Sequence, residues 1–279
     1  MTTFSPDRKR LEICQILSGI GAAHEARWIV EAAQKKMDFE STVNQIVDRR
    51  LKGEPLAYIL GEWPFYGRDF CVGPGVLIPR PETEELVEKL LARFTSKHEP
   101  CVIVDAGAGS GCIGITVALE LKRPVSLTLI ERSPEALGLL KENVRRLLGG
   151  QSLVTVTVHE NSWNTFQADR NVDLFVSNPP YVTAAEFAEV ESTVKDFEPA
   201  SALLPDDVET FPDASGPYRE LLTLAGQVLR EDGLVAFELG LAQVKWIRNF
   251  ANTQKLWKNS EMVKDMSDKN RFFFTVRRS

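Results

Sequence analysis

Asn178-Pro179-Pro180-Tyr181 places in four consecutive residues the groups that can hold a planar nitrogen. The Asn178 side chain carries one acceptor oxygen and two donor hydrogens, and Tyr181 carries a flat ring with a polar tip. Pro179 and Pro180 each fix φ and bring no N–H, so their carbonyls stay free of neighbouring donors. The tetrapeptide follows the apolar run Val172–Ser177, whose pattern predicts a buried strand. At a strand's carboxyl end these residues make a stiff ledge rich in acceptors. Such a ledge suits a substrate –NH2 group: two acceptors take its hydrogens while an aromatic ring covers its plane. The plain alternative is a proline-stiffened exit from the strand.

A second motif makes chemistry the better reading. An apolar run from Cys101 to Asp105 feeds a turn containing Gly107, Ala108, Gly109, Ser110 and Gly111, and Ile113, Ile115, Val117 and Ala118 continue it as a helix. The glycines allow a sharp bend and close approach of a ligand, and the helix start offers free N–H groups. About twenty residues on, a second apolar run ends in Glu131, placed to accept both hydroxyls of a ribose. Gly109, Gly111 and Gly114 also satisfy G-x-G-x-x-G, so a nicotinamide dinucleotide fits the loop as well. Two features favour S-adenosylmethionine instead. Asp105 would repel a pyrophosphate but could hold a cationic amino-acid group, directly or through water. The Asn178 ledge opens on the same crevice, where hydride transfer has no evident use for an amide clamp.

With these motifs in place, the sequence resembles the protein-(glutamine-N5) methyltransferases that act on peptide chain release factors. The resemblance covers nearly the whole chain. It rests on residues 61–70 (Gly61, Trp63, Phe65, Tyr66, Gly67, Arg68, Phe70), 77–84 (Leu77, Pro79, Arg80, Pro81, Glu82, Thr83, Glu84), the glycine loop, 177–181 and 198–203. Asn-Pro-Pro-Tyr is shared with DNA adenine-N6 methyltransferases and some RNA guanine-N2 enzymes; block 77–84 is narrower and points to the glutamine branch. The resemblance implies methyl transfer from S-adenosylmethionine, leaving S-adenosylhomocysteine, to the glutamine of the Gly-Gly-Gln motif in class 1 release factors. Asn178, Pro179, Pro180 and Tyr181 would be catalytic. Gly107, Ala108, Gly109, Ser110, Gly111, Glu131, Trp163 and Asn178 would bind the cofactor, Trp163 against adenine. Ser162 stands where the family usually has an acid. Arg80 and Glu82 either tie the connector to the sheet or line the substrate channel, and Glu198 with Pro199 shapes a loop wall. Tyr218-Arg219 matches a family pair, but residues 211–216 replace the usual glycine-rich lead-in.

Three parts must position these groups. Residues 1–61 read as a small all-α domain suited to docking a protein substrate. Leu11, Ile16, Leu17 and Ile20 mark a first helix, Trp28, Ile29, Ala32 and Ala33 a second, and Val43, Ile46, Val47 and Leu51 a third. Residues 62–80 alternate aromatics with glycines and read as a β-hairpin connector. Residues 81–279 alternate strands (near 101–105, 125–131, 153–158, 172–177, 234–238, 271–276 and, weaker, 256–263) with helices (near 82–95, 112–122, 134–148, 185–195, 217–230 and 241–252). That order predicts an α/β fold: a Rossmann-like class I methyltransferase sheet, mostly parallel, covered on both faces and ending in an antiparallel edge hairpin.

At 279 residues and 43% hydrophobic, the chain can bury one large core and a satellite. A net charge of −6 speaks against a partner held by phosphate contacts, so direct nucleic-acid binding is not expected. The first residues carry charges without the apolar segment of a leader, and no run reaches membrane-spanning length. Cys14, Cys71, Cys101 and Cys112 form no C-x-x-C pair, and His24, His98 and His159 show no metal spacing. The expectation is a cytoplasmic, metal-free enzyme with reduced cysteines.

Overall fold

The computed structural model describes residues 6–94 and 96–278. Residues 1–5 of the expected helical domain, Thr95 at the end of the helix expected over 82–95, and Ser279 lie outside the described residues.

Four helices open the chain: α1 (Pro6–Ser18), α2 (Ala26–Gln34), α3 (Phe39–Leu51) and α4 (Leu56–Leu60). They enclose a core of their own from Ile13, Leu17, Ile29, Ala33, Val43, Ile46 and Leu56. α1 turns Ile13 and Leu17 inward and leaves Leu11 and Ile16 exposed, and Ile20 lies exposed in the turn past its end, against the first-helix pattern read from the sequence. With a single packed stripe, a helix buries only part of what its periodicity offers. Gly61, with φ of 75°, ends α4 and starts the hairpin β1 (Glu62–Phe65) and β2 (Arg68–Cys71).

The remaining chain is a three-layer α/β unit. Its elements are α5 (Pro81–Arg93), β3 (Cys101–Ala106), α6 (Cys112–Glu120), β4 (Val125–Ile130), α7 (Pro134–Leu148), β5 (Val154–His159) and β6 (Val172–Ser177). Three short helices follow, α8 (Ala184–Glu189), α9 (Ser192–Lys195) and α10 (Ala200–Leu203), then α11 (Gly216–Val228), β7 (Leu229–Glu238), α12 (Val244–Thr253), β8 (Trp257–Lys264) and β9 (Asn270–Arg277). The single helix expected over 185–195 is interrupted at Val190, whose ψ of 141° is extended.

The strands lie in the order β5-β4-β3-β6-β7-β9-β8, parallel except for β9, which is antiparallel to both its neighbours. The terminal hairpin thus inserts its second strand inward and leaves polar β8 at the edge. Alternation explains the choice: Phe272 and Phe274 enter the core under α5, α6 and α7, while Phe273 enters the opposite core under α11 and α12. Each buried ring contributes roughly 1.5–3 kcal/mol, which favours β9 over β8 for the interior position. No helix among the described residues is long and apolar enough to cross a membrane.

Candidate active site

One cleft of about 940 Å³, including its open mouth, lies over the carboxyl ends of β3, β4 and β6. The crossover geometry of a parallel sheet puts loops and helix starts there. Gly107, Ala108, Gly109 and Ser110 line it from the turn after β3, and Glu131, Arg132 and Ser133 from the end of β4. Asn161, Ser162 and Trp163 follow β5, and Asn178 and Pro180 follow β6. The connector adds Val76, Leu77, Pro79 and Arg80, α5 adds Thr83, and α10 adds Ser201 and Ala202.

The glycine turn is held by specific bonds. Gly107 has φ of 72°, and a Cβ built on it would stand 3.3 Å from the Trp163 ring. The Trp163 indole N–H donates to Glu220 at 2.7 Å, which fixes the plane of the ring beside the loop. Glu131 accepts three main-chain N–H groups: Gly109 at 2.8 Å, and Arg132 and Ser133 at 2.8 Å each. The acid at the tip of β4 therefore also sets the shape of the turn, with one of its four lone-pair sites left over.

Asp105 lies beneath the turn, outside the cleft wall, with 1% of its surface exposed. Its Oδ2 accepts the Gly114 N–H at 2.8 Å and its Oδ1 has no partner among the described residues. Burial pushes its pKa up to about 7, against the Gly114 bond and with Glu131 adding to the rise. An orphaned, desolvated carboxylate oxygen beside a cleft fits a cationic ligand group or a bridging water.

Ser177 donates to the Ala106 carbonyl at 2.6 Å, clamping β6 to β3 where the Asn178 ledge begins. Asn178 and Pro180 line the cleft, and Pro179 between them is buried. Tyr181 does not line it: its hydroxyl donates to Glu238 at 3.2 Å, its ring lies 6.0 Å from the Arg271 guanidinium, and burial raises its pKa. Arg80 both lines the cleft and pairs with Glu198, whose other oxygen accepts the Ile78 N–H at 3.1 Å. Tie and wall coincide in one residue. Glu84 accepts the Tyr66 N–H at 2.7 Å, joining the hairpin to α5. Arg219 stacks between Phe211 and Trp246, at 4.6 and 4.4 Å, away from the cleft.

The sequence reading passed over two polar residues here. Thr83 donates to Glu238 at 2.7 Å, and Asn178 donates to Thr83 at 3.3 Å. Glu238 ends β7 as Glu131 ends β4, so the reasoning that singled out Glu131 applied equally to it. Nothing in its local pattern showed that its partners would be residues 83 and 181.

The reversed β9 between β7 and β8 separates this sheet from a dinucleotide-binding one, and with the ledge after β6 it defines a Rossmann-like methyltransferase. A family model described as "Methyltransferase small domain" matches residues 83–205. The chain is 38% identical over 235 residues to the release factor glutamine methyltransferase of Nitratidesulfovibrio vulgaris, covering 84% of this chain and 76% of that one. The namesake of Bacillus anthracis is 32% identical over 240 residues, covering 84% and 81%. That of Fusobacterium nucleatum is 39% identical over 211 residues, of whose length the chain spans 57%. The chain belongs to the release factor glutamine methyltransferase family. The solved structure of PH0851 shares the fold, with a TM-score of 0.52 at 15% identity over 73% of this chain and 47% of that one.

Proposed function

We propose that this chain methylates the side-chain amide nitrogen of the glutamine in the Gly-Gly-Gln motif of class 1 peptide chain release factors, in the cytoplasm, using S-adenosylmethionine. The observation that carries the reading is the position of Asn178: it lines one cleft together with the glycine turn, just past the end of the strand beside β3. Bound there, S-adenosylmethionine supplies an electrophilic methyl on a sulfonium. Gly107 to Gly111 and Glu131 would hold its amino-acid and ribose portions, and Trp163 would cover the adenine. Ser162, at the cleft wall beside Trp163, offers a hydroxyl and no carboxylate, so adenine recognition leans more on Trp163.

A carboxamide nitrogen is a poor nucleophile because its lone pair is delocalised into the carbonyl. The Asn178 Oδ1 and the Pro179 carbonyl accept its two hydrogens, localise the lone pair, and favour the positive charge that develops as the methyl arrives. Pro180 forms the wall against which the amide plane rests. The rate gain comes from orientation and exclusion of water, and the proton leaves once the nitrogen is alkylated. Helices α1 to α4, with their separate core, form a docking unit for the protein substrate. Incubation with a release factor and S-adenosylmethionine adds one methyl, located by mass spectrometry on the Gly-Gly-Gln glutamine. Methyl found in DNA adenine and not in release factor would transfer the assignment to the adenine-N6 branch.

Asp105 gives a pH signature. Its pKa is raised in the fold from 3.8 to about 7, so the native state binds more protons than the unfolded chain between these values. Its contribution to stability is therefore greatest at acid pH and is lost as pH rises to about 7. Asp105→Asn mimics the protonated form. The variant should unfold at higher denaturant than the parent above pH 7 and at the same concentration near pH 4. A cationic cofactor prefers the ionised form, so parental affinity should rise with pH through about 7, and the variant's affinity should be weaker and flat. Calorimetry across this range measures both, and a parental affinity independent of pH would remove Asp105 from the cofactor's field.

A further inference from the structure

Asn178 does not stand alone. Its Nδ2 donates to Thr83 Oγ1 at 3.3 Å, Thr83 donates its one proton to Glu238 Oε2 at 2.7 Å, and Tyr181 donates to Glu238 Oε1 at 3.2 Å. Both ends of the 178–181 ledge thus converge on one carboxylate. Thr83 and Glu238 are almost completely buried, at 2% and 1% exposure. Neither belongs to the glycine turn or to the ledge.

We infer that Thr83 and Glu238 are positioning residues for the methyl transfer, fixing through a directed hydrogen-bond chain which face Asn178 turns to the substrate. The inference rests on the reading of Asn178 as the acceptor for the substrate amide. A hydroxyl has a single proton. When Glu238 Oε2 takes it, Thr83 Oγ1 can only accept from Asn178, so the Asn178 NH2 points to Thr83 and its Oδ1 is left for the cleft. The amide orientation is assigned from this network. A proton on Oε2 reverses the chain. Thr83 accepts it and its own proton is freed for Asn178; the amide flip that takes this proton turns Oδ1 toward Thr83, and two N–H donors face an incoming NH2 that needs acceptors. Donor then meets donor, and the reacting nitrogen loses its orientation.

Glu238 is poised between the two states. Around it stand Thr83 and Glu82 of α5, Tyr181 of the ledge, Arg271 of β9, Cys112 at the start of α6, and Tyr218 of α11, whose hydroxyl bonds the Glu238 main-chain carbonyl at 2.8 Å. Burial and Glu82 favour the protonated form, while Thr83, Arg271 and Tyr181 favour the carboxylate; the balance lies at about 7. Arg271 is itself held by Asp265 at 3.3 Å and by the Leu239 carbonyl at 3.0 Å.

The test is single-turnover methylation of release factor at saturating S-adenosylmethionine, where pH effects on cofactor binding drop out, with a separate cofactor titration. Thr83→Val keeps the shape and removes the hydroxyl; it should slow transfer on the order of tenfold, the worth of one lost hydrogen bond, with cofactor Kd unchanged. Thr83→Ser should restore the rate. The parent's rate should fall as pH drops below about 7. Glu238→Gln, which offers Thr83 an acceptor at every pH, should keep most of the neutral rate and lose that fall. Thr83→Val at parental rate with the pH limb intact would overturn the inference, as would Thr83→Ser as slow as Thr83→Val. Asn178→Ala in the same assay separates the two levels: if it is active, the reading of Asn178 fails whatever Thr83 does. If it is inactive while Thr83→Val is normal, only the positioning chain fails. Should Thr83→Val not fold, Glu238→Gln and Thr83→Ser decide alone.

Discussion

Asn178→Ala should slow methyl transfer by roughly 10²–10³, the usual loss when one preorganised group facing developing charge is removed. The residue lines the cleft on the strand next to β3, and its oxygen is the side-chain acceptor the ledge presents. Cofactor affinity should fall far less, because the glycine turn and Glu131 would supply most of the cofactor's contacts. Asn178→Asp separates the roles further: it keeps an acceptor, loses the donor to Thr83, and adds charge beside a cationic cofactor. It should retain more activity than Ala. Single-turnover rates at saturating cofactor, with a cofactor titration for each variant, give both quantities. Near-parental turnover in Asn178→Ala would make the ledge a structural exit from β6 and end the mechanism proposed.

The contrast between Asn178 and Glu238 shows what was legible in the sequence. Asn178 announces itself because two prolines after a buried strand have few purely structural uses, and because the local pattern carries the whole signal. Glu238 carries its meaning through residues 83 and 181, some 155 and 57 positions away, and no local pattern encodes that. Glu131 lies between these cases. Its place at the tip of β4 could be read, but its three main-chain bonds could not, since they depend on how the turn after β3 curls back. Tyr181 is the reverse case: the side chain suggested a stacking face, while the tertiary structure engages it with Glu238 outside the cleft wall.

The sheet was more legible than the helices. Strands buried on both faces are continuous apolar runs, and Val172–Ser177 or Phe272 to Phe274 admit few other placements. Surface helices keep apolar residues that pack against nothing, as Leu11 and Ile16 do on α1, so periodicity marks the helix and not its buried stripe. Strand order is not local at all. The insertion of β9 between β7 and β8 follows from three adjacent phenylalanines needing cover on alternate faces, which only an interior position gives.

Gly114→Ala should be the most damaging single-methyl change in the cofactor half of the site. Gly114 lies in the first turns of α6, and a Cβ there would stand 2.8 Å from Leu129 Cδ2 and 2.9 Å from both Cβ and Oδ2 of Asp105. The Leu129 methyl can swing aside, but Asp105 Cβ is fixed to the backbone of β3, so α6 must move off the sheet. That displacement also stretches the 2.8 Å bond from Gly114 N–H to Asp105, the only bond the buried carboxylate has among the described residues. Overpacking costs about 1–3 kcal/mol, and loss of a bond to a buried charged group adds about 1–3 kcal/mol. Stability should therefore drop by roughly 2–6 kcal/mol, and the glycine turn, which leads directly into α6, should lose cofactor affinity with it. Gly138→Ala is the control: it lies on the exposed face of α7 with nothing within 4 Å of the added methyl, so it should stabilise by about 0.5–1 kcal/mol through helix propensity. Denaturant unfolding of both variants with and without S-adenosylmethionine measures the pair. If Gly114→Ala matched Gly138→Ala, the close contact of α6 with β3 would not be what this glycine serves.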